Sequence, residues 1–302
     1  MNIQIKMAII AIVVIIPLSS IVVYETNSNQ QIASIDNLKL QVISSFNPIH
    51  EFSQEIGQEK IDVTLLVPVG VEPHDWEPTI KDVQQMQKSD LIIINGIGFE
   101  NWVDNLDEKN YQGTIVDTSV GILANNFDEK NTNDLTDSHI WLNPVYAKIQ
   151  VQNIALAFSN SDPENGKFYH ANAAKYIEKL NLLDSKIRNE LSDCNRDFIY
   201  FHNAFSYFAD EYGLNQHTII PTSNSHGEVT AKTLEKVILT AKKLNITVIF
   251  SEESASSKSS EIIANEIGGK VLILSPLEVV SDGTYISKMT ENLENLKEAL
   301  CQ

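Results

Sequence analysis

Seven histidines occur among the 302 residues, and three of them sit where the chain is built to hold a side chain still. His74 lies in "LVPVGVEPHDWEPT" (66–79), where Pro73 and Pro78 fix their own φ and bias their predecessors toward extended backbone. His139 lies in "DSHIWLNPVYAK", just ahead of Asn143 and Pro144, which read as a helix N-cap and first helical position. His202 closes "DFIYFH", a strand-like run leading into "AFSYFADEYG". Neutral imidazole is the commonest ligand for zinc and related ions, and such sites take three or four protein ligands. His50, His170, His217 and His226 lack comparable mounts and read as solvated or packed residues. No HExxH-type spacing links the three, so a metal triad and three separately satisfied histidines both remain open at this level.

Convergence depends on the elements that carry them. Four Ile- and Val-rich runs, "LQVISS", "DVTLLVP", "LIIINGI" and "TIVDTS", alternate with helical patterns in the first half. The scheme repeats in the second half with "DFIYFH", "HTIIPT", "TVIFSE" and "VLILSP", then a final helix from Tyr285 to Leu300. Such alternation predicts two small α/β domains, each with a parallel sheet covered on both faces. Between them, Phe168, Ala171, Ala174, Ile177, Leu180, Leu183, Ile187 and Leu191 recur at three- and four-residue steps with no proline after Pro163. That spacing predicts a rigid helix from about Pro163 to Leu191, about 40 Å long at 1.5 Å per residue; Tyr169, Tyr176 and His170 read as packing or surface residues on it. The resulting organisation is 38–160 and 194–302 as α/β domains, joined by a helix over 161–193. Open sheets of this kind bind ligands outside the carboxyl ends of their strands, so His74 and His139 from the first domain would meet His202 from the second in the cleft.

Composition narrows the partners. The net charge is −18 and Lys and Arg do not cluster, which argues against nucleic acid and is compatible with a cation. The first residues carry Lys6, then an apolar run from Met7 to Tyr24. This reads as an export segment over 1–24, followed by a polar tether over 25–37. No A-x-A cleavage pattern and no nearby lipid-accepting cysteine follow, which favours an uncleaved membrane anchor over a removed signal peptide.

The motifs "LLVPVGVEPHDWEPT", "DSHIWLNPVYA", "HNAFSYFADEYGL" and "SDGTYISKMTENLENL" resemble, in order and distance, those of the zinc and manganese receptors that serve ABC importers. The similarity runs from about Lys39 nearly to the end of the chain. It implies two α/β domains joined by a long helix, with one divalent metal ion in the cleft held by His74, His139 and His202. It also implies an ABC transporter permease as partner, an extracytoplasmic location and a non-enzymatic role; a monomer is the expected state. Histidine at the third position, where manganese-selective members often carry glutamate, favours Zn²⁺ over Mn²⁺.

The family usually supplies an aspartate as fourth ligand before the last helix. Here the matching stretch is "LILSPLEVV", with Ser275 near that place. Glu252 or a water is the expected substitute, with Glu278 and Asp282 ranked behind. Asn203 stands where an acidic residue is common, which predicts weaker support for His202. Asp137 and Glu77 are candidates for orienting imidazoles, and the loop "NNFDEKNTNDLTD" reads as solvated, without histidine. Two rivals share the three histidines: a zinc hydrolase or hydratase with a water on the metal, and a surface adhesion protein braced by it.

Topology also bears on Cys194 and Cys301, the sole cysteines. Cys194 precedes the first strand of the second domain, and the last helix runs back antiparallel to those strands. Its final turn therefore returns Cys301 to the end where Cys194 sits, and a disulfide is expected if the Cα atoms come within about 4.4–6.8 Å.

Overall fold

Strand-forming runs build two sheets of the same design. The computed structural model describes residues 39–106, 111–123, 136–220, 229–253, 257–280 and 282–301. In the first lobe β1 (Leu40–Ser44), β2 (Ile61–Leu65), β3 (Leu91–Ile94) and β4 (Thr114–Asp117) pair in the order β2-β1-β3-β4, all parallel. In the second, β5 (Asp197–Tyr200), β6 (Asn215–Thr218), β7 (Val248–Ser251) and β8 (Lys270–Ile273) pair in the order β6-β5-β7-β8, again parallel. The expected strand in "HTIIPT" starts two residues earlier, because Asn215 is the residue that pairs with Asp197.

The connecting helices are α1 (Asn47–Gly57), α2 (Ile80–Met86), α3 (Pro144–Ser161), α4 (Gly166–Leu191), α5 (Ser206–Tyr212), α6 (Ala231–Leu244), α7 (Lys258–Ile267) and α8 (Tyr285–Leu300). Strand side chains alternate between faces, and both faces are buried. Ile43, Ile92 and Ile94 face Met86 and Trp102 on one outer side. Ile199, Phe201 and Ile249 face Val237, Ala241, Ile263 and Ala264 on the other. The alternate residues, among them Val42, Ile93, Phe198 and Phe250, join Phe52, Trp141, Leu180 and Leu293 in one central core that runs through both lobes.

Helix α4 is the expected strut, 26 residues and so about 39 Å long, after a 3₁₀ turn at Pro163–Asn165. Its first half buries Tyr169, Asn172, Ala173 and Tyr176, while Ala171 and Ala174 face solvent, so the apolar stripe drawn from Phe168 to Ile177 is displaced. The reason lies in the tyrosines. Each buries its ring and still satisfies its hydroxyl: Tyr169 donates to Asp162 at 2.6 Å and Tyr176 to Glu51 at 3.1 Å. The helix joins the lobes through Asn172, which donates to the carbonyl of Ile56, and through Asp184, which accepts from Tyr212.

Cys194 and Cys301 form a disulfide with Cα atoms 4.4 Å apart, as the topology anticipates, and the amide of Asn195 donates to the carbonyl of Leu300 beside it. The bridge closes a separation of 107 residues, where the chain-entropy account assigns about 4.7 kcal/mol. The export segment, the tether, His226 and residues 124–135 of the acidic loop lie outside the described residues. Among the described residues no helix is long and apolar enough to cross a membrane.

Candidate metal centre

Each imidazole is mounted differently. His202 follows β5 and Glu252 follows β7, neighbouring strands in which Ile199 pairs with Ile249. Both residues stand three positions beyond that pair, and His202 Nδ1 meets Glu252 Oε1 at 3.2 Å. His139 is held by Asp137, whose Oδ1 accepts both the backbone amide, at 2.9 Å, and Nδ1, at 2.7 Å. Asp137 is itself fixed from the second lobe: Ser206 donates to its Oδ2, and the Tyr207 hydroxyl donates to its carbonyl at 2.7 Å. His74 sits on the 3₁₀ turn Pro73–Asp75, and its ring meets the edge of Phe99 at 4.8 Å between centroids.

Because Asp137 and Glu252 take the Nδ1 protons, the Nε2 lone pairs of His139 and His202 are free to ligate. The Nε2 atoms of His74 and His202 each lie 3.3 Å from that of His139. Glu278 Oε1 completes the group at 3.5, 3.1 and 3.9 Å from the Nε2 atoms of His74, His139 and His202. Ligands about 2.0–2.1 Å from a tetrahedral ion are separated by about 3.3 Å, close to these distances. The group is nearly sealed: His139 and His202 are fully buried, Glu278 is 2% exposed, and the imidazoles of His74 and His139 bond its carboxylate. A carboxylate buried this deeply calls for positive charge beside it.

The electrostatics agree. Burial alone would push Glu278 upward, but the imidazoles of His74 and His139 outweigh it and hold its pKa well below the usual carboxylate value. Burial likewise works against charge on His139, yet Asp137 and Glu278 raise its pKa to about 10. A proton there balances the carboxylates, and an entering metal ion would displace it. Glu72, on the loop before His74, is pushed up to about 8 by burial and by the charges of Glu278 and Glu252.

The structure brings His74, His139 and His202 together, and Glu278 rather than Glu252 joins them. Glu252 lies outside the group of four; its Oε1 meets His202 Nδ1, where it supplies the support that Asn203 lacks. Ser275 anchors its own lobe instead: its amide donates to Asn292 Oδ1 at 2.7 Å and its carbonyl accepts from Asn292 Nδ2 at 2.8 Å. Glu278 reaches the cluster because Leu277 adopts a left-handed φ of 60°, which redirects the chain after Pro276. The sequence held one signal, a lone carboxylate within the apolar run "LILSPLEVV", which demands a partner once buried. Asp282 and Glu77 are exposed and lie outside the group, so Glu77 orients no imidazole. His50 bonds Ser44 and His217 bonds Asp197, away from the cluster.

Comparison with known proteins points the same way. The chain is 38% identical over 281 residues to the high-affinity zinc uptake system protein ZnuA of Bacillus subtilis, covering 87% of this chain and 88% of that protein. It is 34% identical to the zinc-binding protein AdcA of Streptococcus pyogenes, covering 86% of this chain but only 56% of AdcA. The crystal structure of the Zn(II)-bound ZnuA-like domain of Streptococcus pneumoniae AdcA superposes with a TM-score of 0.76 at 32% identity, over 87% of this chain and all of that domain. Residues 42–299 match the family model for the periplasmic component A of the zinc-uptake complex, and the chain belongs to this ZnuA family.

Proposed function

We infer that this chain captures Zn²⁺ outside the cytoplasm, in the cleft between its lobes, with His74, His139, His202 and Glu278 as ligands, and passes it to an ABC-type permease. The observation that carries the reading is the set of three Nε2 atoms and one buried carboxylate oxygen gathered within 4.8 Å of one another. Three imidazoles and one carboxylate suit zinc better than manganese, which prefers more oxygen ligands. The N-terminal run 1–24 serves as the membrane anchor, and the receptor acts as a monomer.

The reading also separates receptor from enzyme. A catalytic zinc keeps one position open for water, whereas four protein donors close the tetrahedron. Binding needs deprotonated imidazoles, and release needs a change in their geometry, which a membrane partner would supply. Calorimetric titration of the purified protein should give one tightly bound Zn²⁺ per chain, with Mn²⁺ bound more weakly. The zinc form should hydrolyse esters and hydrate CO₂ no faster than the free ion. A second equivalent of zinc at comparable affinity, or turnover above the free ion, would replace this reading by another.

A further inference from the structure

The loop that carries Glu278 belongs to the second lobe but is held by the first. Ser275 is fixed at both its amide and its carbonyl by Asn292 of α8. The next two carbonyls turn the other way. Trp141 Nε1 donates to the carbonyl of Pro276 at 2.8 Å, and Asn47 Nδ2 donates to that of Leu277 at 3.2 Å. Trp141 lies on the turn just after His139, and Asn47 is the first residue of α1, both first-lobe positions. The arrangement is reciprocal, because Ser206 and Tyr207 of the second lobe hold Asp137, which mounts His139.

A left-handed leucine is a conformation that must be imposed, since a non-glycine residue does not favour φ near +60°. Three bonds flank Leu277: its amide donates to Ser275 Oγ at 3.4 Å within its own lobe, and the carbonyls on either side of its φ and ψ accept from Trp141 and Asn47 of the first lobe. The carboxylate of Glu278 meets the imidazoles of His74 and His139, and the backbone leading to it decides whether it reaches them. We propose that Asn47 and Trp141 are positioning residues: they make Glu278 a metal ligand only while the lobes are closed on each other, so that separating the lobes withdraws the carboxylate and leaves a weaker three-imidazole site. This rests on the zinc-binding reading above and adds to it a mechanical route for release.

A double-mutant cycle tests it on the full-length protein, with zinc affinity from chelator competition and zinc dissociation by stopped flow. Asn47→Ala and Trp141→Phe, the latter retaining most of the buried ring, should each weaken zinc binding about ten- to hundredfold, as loss of outer supports does elsewhere, mainly through faster dissociation. In a Glu278→Ala background the same two substitutions should change affinity less than about threefold, because nothing remains to position; thermal unfolding of each variant monitors the fold. Equal losses with and without Glu278 would make the contacts merely structural and overturn the proposal. So would unchanged affinity in both single variants while Glu278→Ala alone is damaging. If Glu278→Ala leaves zinc affinity intact, Glu278 is not a ligand, and the four-ligand reading falls together with this one.

Discussion

The two lobes share one strand order and use it differently. In the second lobe the strand ends themselves carry the chemistry: His202 follows β5, Glu252 follows β7, and Glu278 lies five residues beyond β8. In the first lobe both imidazoles arrive on longer connections after β2 and β4. The equivalent carboxylates make the contrast sharper. After β7, Glu252 supports an imidazole; after β3, Glu100 accepts the amides of Asn95 and Gly96 at 2.7 and 3.1 Å and bonds no imidazole. One scaffold therefore places site residues either at strand ends, as with His202 and Glu252, or on loops bonded by the partner lobe, as with His139 and Glu278.

If that contrast is energetic as well as geometric, the three histidines should not be equal. About 10–16 kcal/mol of zinc binding shared among four ligands leaves about 3 kcal/mol for each, or roughly a hundredfold in affinity. We expect His139→Ala and His202→Ala, fully buried and backed by carboxylates, to lose at least that factor. His74→Ala should lose less, because its side chain is 9% exposed and its ring rests on Phe99. Chelator-competition titrations give the three values side by side. Equal losses would mean that the mounts contribute nothing.

The mounts can be tested directly at a smaller scale. Asp137→Asn and Glu252→Gln keep the shape and remove the charge that fixes each imidazole tautomer. Each should weaken zinc about ten- to hundredfold, with the fold intact. Asp137→Asn should be the worse, since Asp137 also ties the His139 loop to Ser206. A larger loss from Glu252→Gln would place the tighter control in the second lobe.

The same contrast explains what was readable in the sequence. Strand positions, the long helix, the disulfide and the histidine closing "DFIYFH" follow from local patterns and from parallel-sheet topology. Glu252 was visible as a strand-end carboxylate, but its partner was not, because the pairing depends on which strands are neighbours. Glu278 was ranked low because a left-handed leucine is invisible in composition. In the first half of α4 the stripe through Ala171 and Ala174 is displaced, because Tyr169 and Tyr176 bury their rings against the core.

The smallest expected effect concerns Glu100, the first-lobe counterpart of Glu252. Burial pushes its pKa up to about 7, against the bonds from Ser45, Asn95 and Gly96, which favour the charged form. Its folded value thus exceeds the unfolded one, near 4.5, and between the two the native state holds more protons. The stabilising contribution of this group is complete below about pH 4.5 and is lost as pH rises through about 7. Glu100→Gln removes that titration and also places an amide donor against backbone N–H groups, a cost that does not vary with pH. Urea midpoints of the metal-free protein at pH 5, 6, 7 and 8 should therefore fall less steeply with pH in the variant than in the wild type, with the two curves closest at pH 8. Zinc affinity should change by less than about tenfold, since Glu100 reaches the site only through the turn that carries Phe99 to His74. Parallel midpoint curves would mean that Glu100 does not titrate in this range.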